Sequence, residues 1–275
     1  MKYIALTFDD GRSDNFLLAK KIMDKYGLTG TVFITTGFID GTWENSAVLK
    51  SPSRPLHIDE ILALKHSGWE IGLHGDKHLT CEEDMGVALE KLRSWGVENA
   101  WWGVSVPNSK AEETEVSRIM TGAYGNRVAY IRRGRKCDTT KFFNRLLYLL
   151  YSITGARWAY HWFNAANVFD GITADRSYIP SIVIKGNDRP EMITDFIRNL
   201  PDGSVVVCML HSILSAEHPL NGKDPWSWEE RKFEKFCIGL HCMIQEGTAI
   251  SASLIDILGK DNTGILETWN ELRTK

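Results

Sequence analysis

Apolar and polar positions along the chain fall into alternating blocks, a short and almost wholly apolar run followed by a segment with helical periodicity, nearly to the end. Runs apolar on both faces, each followed by an amphipathic helix, are what a parallel sheet covered by helices requires, so the pattern predicts an α/β fold. Residues 2–8 read as the first strand. Ser13 reads as the N-cap of a helix over 14–26 that Gly27 stops. Strands follow at 31–35 and 69–73 with a helix over 58–66 between them. Thr80-Cys81-Glu82-Glu83 has the form of a capping box before a helix that runs to about Trp95 and ends at Gly96. A strand at 99–104, a helix over 112–121 and a strand at 127–131 come next. After an insertion of about 139–176 there is a strand at 182–185, a helix over 190–200, a strand at 204–210, a helix from about 226 to 245 and a short strand at 249–250. With no internal repeat, low-complexity tract or linker, the expected organisation is a single domain over residues 1–275.

A hydrophobic content of 43% with 11% aromatics excludes disordered and fibrous classes. Lys plus Arg number 32 against 35 Asp plus Glu, a net charge of −3, so the whole-molecule field favours neither nucleic acid nor acidic lipid, and any charge argument is local. The five cysteines, Cys81, Cys137, Cys208, Cys237 and Cys242, are odd in number, widely spaced and without a CxxC, which fits reduced thiols. The longest apolar run, 146–156, is short of the roughly 20 residues of a bilayer span, so no transmembrane segment is expected. The first strand and its acidic pair are over by Gly11, which leaves no signal peptide ahead of them; a cytoplasmic chain is expected.

Polar groups recur at one kind of place, the C-terminal end of an expected strand. Asp9 and Asp10 follow "YIALTF", His74 follows "WEIGL" and His211 follows "VVVCML". In parallel α/β folds the loops converge on that rim and catalytic groups sit there. His74 and His78, in "LHGDKHLT", belong to the turn between a strand and the next helix. Two neutral imidazoles and one carboxylate make a three-ligand metal site with an open position, as catalytic zinc uses to activate water. Asp10 is the natural third ligand, and Asp9 is left free to act as a base. Taken singly, "FDDG" also reads as an Asx-turn leading into a helix; the coincidence of three strand ends favours a site.

"LTFDDG", then "HGDKH", then "VVVCMLH" resembles the polysaccharide deacetylase family, carbohydrate esterase family 4, from the start of the chain to about Ile213 apart from the insertion. The resemblance implies a distorted (β/α) barrel with fewer than eight strands, and hydrolysis of N-acetyl or O-acetyl groups on sugars with one divalent metal. Zinc is expected, with cobalt, nickel and manganese as alternatives, since this donor set accepts them all. It implies Asp9 as general base, Asp10, His74 and His78 as metal ligands, and His211 as the acid that protonates the departing amine. Three departures stand out. Gly75 occupies a position where the family usually has Ser or Thr. "WGVSVPNSK" keeps Pro107 of the third motif and lacks its Arg, which normally pairs with the base; Arg132 and Arg133, at the next strand end, are the candidates to replace it. Asp138 in "RGRKCDTT" is the nearest candidate for the family's Asp that tunes the acid His.

The insertion is aromatic and basic. From Arg127 to Arg157 eight basic residues face the single acid Asp138, with Phe142, Phe143, Tyr148, Tyr151, Trp158, Tyr160, Trp162 and Phe163 interleaved or following. It reads either as an amphipathic helix packed on the barrel or as a cap that stacks sugar faces and pairs an anionic group of the substrate with Arg. Trp226 and Trp228 read as a surface anchor or a lid over the barrel edge. The expected partner is an acetylated sugar or glycan; no nucleic-acid motif accompanies the basic cluster, and the oligomeric state is left open. Two rival readings are a hydrolase of another small amide and a carbohydrate-binding barrel without catalysis.

Overall fold

Strand β1 (Lys2–Phe8) is buried along its length and lies at the centre of the sheet, paired in parallel with strands from both ends of the chain. The computed structural model describes residues 1–109, 111–122, 127–135, 141–171 and 173–259. After β1 the chain makes a widened π-helical turn over Asn15–Lys20 and tightens into α1 (Lys21–Lys25), in place of one uniform helix. The widened turn follows Asp14, whose Oδ1 accepts from Ile213 N (3.0 Å), and carries Asn15, whose Nδ2 donates to His211 O (2.8 Å). Then come β2 (Thr31–Ile34), α2 (Thr36–Ile39), α3 (Ile58–His66), β3 (Glu70–Leu73), α4 (Glu82–Ser94), β4 (Trp102–Ser105), α5 (Glu113–Thr121) and β5 (Val128–Arg132). The insertion contributes the helices α6 (Lys141–Thr154) and α7 (Arg157–Ala165). They are followed by β6 (Val168–Asp170), β7 (Ile182–Val183), α8 (Pro190–Arg198), β8 (Ser204–Leu210), β9 (Ser212–Leu214), β10 (Ser227–Glu229), α9 (Glu230–Gln245), β11 (Ala249–Ser251) and α10 (Leu254–Leu258).

The sheet runs β5-β4-β3-β2-β1-β8, with β6 antiparallel on one half of β8, β7 parallel on the other, and β11 parallel on β1. It curls until its ends meet. Arg132 bridges to Ile179 in parallel, Ile131 N donates to Arg176 O (2.7 Å) and Arg133 N to Ile179 O (2.8 Å), so the segment entering β7 joins β5 to β8. Seven strands, β5-β4-β3-β2-β1-β8-β7, therefore form the curled barrel, fewer than eight as expected, with β6 added on β8 and β11 on β1.

Strand alternation divides the core in two. Ile4, Leu6, Phe8, Val32, Ile34, Ile71 and Val206 pack outward under the helices. Tyr3, Ala5, Phe33, Tyr130, Val205 and Val207 point inward and meet Leu254, Ile257 and Leu258 of α10, which plugs the floor of the barrel. There the Glu70 carboxylate accepts from Tyr130 Oη (2.5 Å), Thr31 Oγ1 (2.8 Å) and Ile255 N (2.9 Å). Gly103 is required beside them, because a Cβ would collide with the Tyr130 hydroxyl.

Two local expectations are corrected. The N-cap expected at Thr80 falls one residue later: α4 starts at Glu82 with Cys81 at the N-cap making no side-chain cap bond. Asp84 instead takes the backbone N–H groups of Lys77 and Leu79 (both 3.0 Å). The helix expected from Trp226 starts at Glu230, because Ser227–Glu229 pairs with β9 first. Among the described cysteines, Cys81, Cys208, Cys237 and Cys242 are thiols without a disulfide; Cys137 lies outside the described residues.

Candidate active site

Inward parity carries the chemistry to the rim. Along β1 the inward series Tyr3, Ala5, Thr7 continues to Asp9; along β3, Glu70 and Gly72 lead to His74; along β4 and β5, Gly103 and Tyr130 lead to Ser105 and Arg132; along β8, Val205, Val207 and Met209 lead to His211. Asp10 has the opposite parity and is turned back to the site by a positive φ of 78° at Asp10 and 83° at Gly11. His78 has φ 56°, a second non-glycine residue in the left-handed region, where backbone strain gathers at functional sites.

Asp10, His74 and His78 offer ligand atoms that all lie within 4.8 Å of one another. His74 Nε2 is 3.5 Å and His78 Nε2 3.7 Å from Asp10 Oδ1. These separations are too long for good hydrogen bonds and close to the edge of about 3.3–3.4 Å of a tetrahedron around zinc with bonds of about 2.0–2.1 Å. His74 is oriented from behind, its Nδ1 lying 2.9 Å from Ser105 O, which turns Nε2 inward. Arg12 puts Nε (2.9 Å) and Nη2 (2.7 Å) on Asp10 Oδ2, leaving Oδ1 for the histidines. Burial pushes the Asp10 carboxyl up, and Arg12 together with His74 and His211 outweighs it and holds the group well below its ordinary value. The donor set and its spacing fit a divalent cation.

Beside it, Asp9 is gripped by Arg132, whose Nη2 lies 2.5 and 2.6 Å from the two carboxylate oxygens and also bonds Ser105 Oγ. Both side chains are almost fully buried. Burial pushes Asp9 up, and Arg132 with His74 and His211 brings it below its ordinary value, so it is an ionised acceptor at neutral pH. Arg132 thus fills the place left by the missing third-motif Arg. Arg133 does not; it bonds Glu113 (2.9 and 3.1 Å) and stacks on Tyr178. His211 lies across the cleft with Trp226 at 5.0 Å between ring centroids. Burial lowers its pKa below the ordinary value, and among the described residues its buried Nδ1 has no hydrogen-bond partner. Asp138, the sequence candidate for that partner, lies outside the described residues.

Asp9, Asp10, His74, His78 and His211 line one cleft of about 230 Å³, together with Arg12, Lys50, Asn108, Ser109, Met209 and Trp226. Sequence reading missed Arg12, Ser105, Ser212 and Lys50. A signal was present in "DDGRSDN", seven residues without an apolar side chain that are all buried here; Arg12 Nη1 reaches Ser212 Oγ (2.9 Å) and ties this turn to the strand after His211. Gly75 is explained by space, because at φ 80° a Cβ would strike Asp84 Oδ2, and Asp84 organises this turn where the family uses a hydroxyl. Among the described residues, none of α6 or α7 lines the cleft. Their buried face, including Tyr151, Tyr160 and Phe163, packs inward, with Tyr160 against Phe196 of α8, as the amphipathic-helix reading expected.

A curled parallel barrel with a carboxylate–imidazole cluster at its C-terminal rim defines the class of β/α-barrel hydrolases. A family model described as polysaccharide deacetylase matches residues 1–140, half of the chain, and the chain belongs to that family. Among solved structures it is similar to a family 4 acetyl xylan esterase from Clostridium thermocellum in complex with cobalt (15% identity, 93% of this chain and 89% of that one, TM-score 0.46). It is also similar to a peptidoglycan deacetylase from Bacillus subtilis (13% identity, 99% and 93%, TM-score 0.46) and a family 4 carbohydrate esterase from Streptomyces lividans in complex with acetate (13% identity, 90% and 91%, TM-score 0.46). No curated protein matches the chain. Family membership carries the general activity, deacetylation of a carbohydrate.

Proposed function

We propose that the chain is a divalent-metal hydrolase that removes an N-acetyl or O-acetyl group from a sugar or glycan. The carrying observation is the convergence, in one cleft, of the Asp10–His74–His78 cluster with an ionised Asp9 and a neutral His211. Asp10, His74 and His78 would hold a divalent ion, which would supply Lewis acidity and lower the pKa of water to about 7. Asp9, held ionised by Arg132, takes the proton of the attacking water. Ser105 presses on both partners, its Oγ on Arg132 and its carbonyl at His74 Nδ1, so base and ligand are positioned by one residue. His211 gives a proton to the leaving nitrogen or oxygen; being neutral at rest, it first takes one up from solvent, and the proton that Asp9 removes from the water returns to solvent, so the two transfers balance. Trp226 offers a face against which a sugar ring stacks.

The cleft is smaller than the roughly 300–1,000 Å³ of drug-sized sites, which supports one acetylated ring at a time. An anionic group on the substrate is supported by Lys50 at the cleft wall and by Lys185, whose Nζ lies 5.0 Å from the Trp226 ring centroid. The test is acetate release from acetylated sugars by metal-reconstituted protein, with bound metal measured in parallel. About one ion per chain, lost in His74→Ala and Asp10→Ala together with acetate release, is expected. A fully metal-loaded protein that frees no acetate from any N- or O-acetylated sugar overturns the reading, and equal rates on neutral and phosphorylated versions of one sugar overturn the anionic preference.

A further inference from the structure

Helix α6 is apolar on two faces. Its inner face buries Leu147 and Tyr151, while Phe142, Leu146, Leu149 and Ile153 recur at i, i+4, i+7 and i+11 on the outside, with Phe142 78% and Ile153 71% exposed. Trp158 and Trp162, one turn apart on α7, extend the stripe, and Trp162 meets Phe143 of α6 edge-on at 6.4 Å. These six residues are nearly half of the thirteen exposed large hydrophobics among the described residues, gathered within 21 positions. A helix apolar on two faces is ordinarily covered on both, and an exposed patch of this kind marks an interaction surface.

Charge selects the partner. Residues 141–165 contain Lys141, Arg145 and Arg157 and no Asp or Glu, in a protein whose net charge is −3. Arg145 and Arg157 are exposed, Arg157 with its Nη1 3.4 Å from Asp195 Oδ1 of α8, so Arg145 is the cation offered most directly to a partner. A second copy of the chain would bring like charges face to face, which an interface disfavours. Exposed Trp, Phe, Leu and Ile with Arg alongside suit the interfacial layer of an anionic bilayer, where rings and aliphatic chains enter the acyl boundary and guanidinium groups meet the headgroups. We propose that the α6–α7 hairpin docks the protein on an anionic lipid surface without spanning it.

The hairpin that would dock lies beside the cleft. Lys185 Nζ lies over Tyr148 of α6 (6.0 Å) and over Trp226 of the cleft wall (5.0 Å), so the hairpin flanks the cleft. Resting on the deacetylase reading, this makes an amino sugar carried on a lipid phosphate the substrate class within reach.

The test sediments the full chain with vesicles of phosphatidylcholine and phosphatidylglycerol in equal parts, and with phosphatidylcholine alone. The expected result is binding to the anionic vesicles, weakened by salt and by Arg145→Gln. Partition should fall about tenfold or more in Trp158→Ser/Trp162→Ser and in Ile153→Asp, with circular dichroism and bound metal unchanged. Wild-type protein left in the supernatant, or stripe variants that bind like wild type, overturns the proposal. So does a dimer abolished by these variants without vesicle binding, which would assign the stripe to a second copy. Sedimentation needs no turnover, so its failure and that of the deacetylase reading are told apart.

Discussion

Replacing Arg132 by Met removes the only Arg or Lys among the described residues in contact with the Asp9 carboxylate, which is 3% exposed. Charges about 4 Å apart attract by about 4 kcal/mol at an effective dielectric constant of 20, and desolvating each ion costs several kcal/mol, so the intact pair is close to neutral in its effect on stability. Breaking it is different, because one buried charge stays behind. Arg132→Met is therefore expected to cost about 3–5 kcal/mol, with lost packing over the Phe33 ring contributing to it. Asp9→Asn strands the guanidinium and should cost a similar amount, whereas the double variant strands nothing. A cycle of urea unfolding measurements should show a coupling of about 2 kcal/mol or more, opposing the sum of the single losses. The pH dependence has a definite sign. Asp9 has a folded pKa below its unfolded value of 3.8, so its contribution is present above 3.8 and is lost as pH falls through the folded value; Arg132→Met should remove that loss. Single losses that add to within about 0.5 kcal/mol would refute the pairing and leave Asp9 without the partner that keeps it ionised.

Gly75→Ser restores the family's usual residue and is expected to destabilise by at least about 1–2 kcal/mol, from the left-handed backbone alone, and to weaken metal binding by displacing Asp84; calorimetry of both properties checks it, and a neutral or improved variant refutes the steric account. Glu70, buried in the barrel floor, has its pKa pushed up to about 7 from 4.5 by burial, so the native state binds the proton more tightly than the unfolded chain and this group's contribution falls as pH rises from 4.5 to 7. Relative to Glu70→Gln, the wild type should lose up to about 3 kcal/mol across that window; parallel stability–pH curves for the two proteins would refute it.

The rim was legible because strand ends are readable: "YIALTF", "WEIGL" and "VVVCML" announce buried parallel strands, and the polar residue that ends each has to face the loops. The Arg132–Asp9 pair was legible only as a choice between two arginines, and inward parity decides it, since Tyr130 and Arg132 share the face that Arg133 leaves. Arg12 escaped notice because a basic residue after an acidic pair looks like a solvated turn, and nothing local tells that Ser212, 200 positions away, closes over it. The strand β10 was hidden in "WSWEE" because its partner β9 is three residues long and defined only by the turn at His211.

Placing β1 between β2 and β8 has a consequence for how the molecule comes into being. Thr7 Oγ1 bonds Cys208 O across 201 positions, and the floor waits for α10, beyond residue 253. The half of the chain that matches the family model carries Asp9, Asp10, His74, His78 and Arg132 but neither His211 nor the strand that completes one side of β1. Such long-range closure is slow. During synthesis the Asp10–His74–His78 cluster emerges first and the ring shuts last, so a ribosome-bound fragment holds these side chains without a cleft, and deacetylation begins only when the ring is whole.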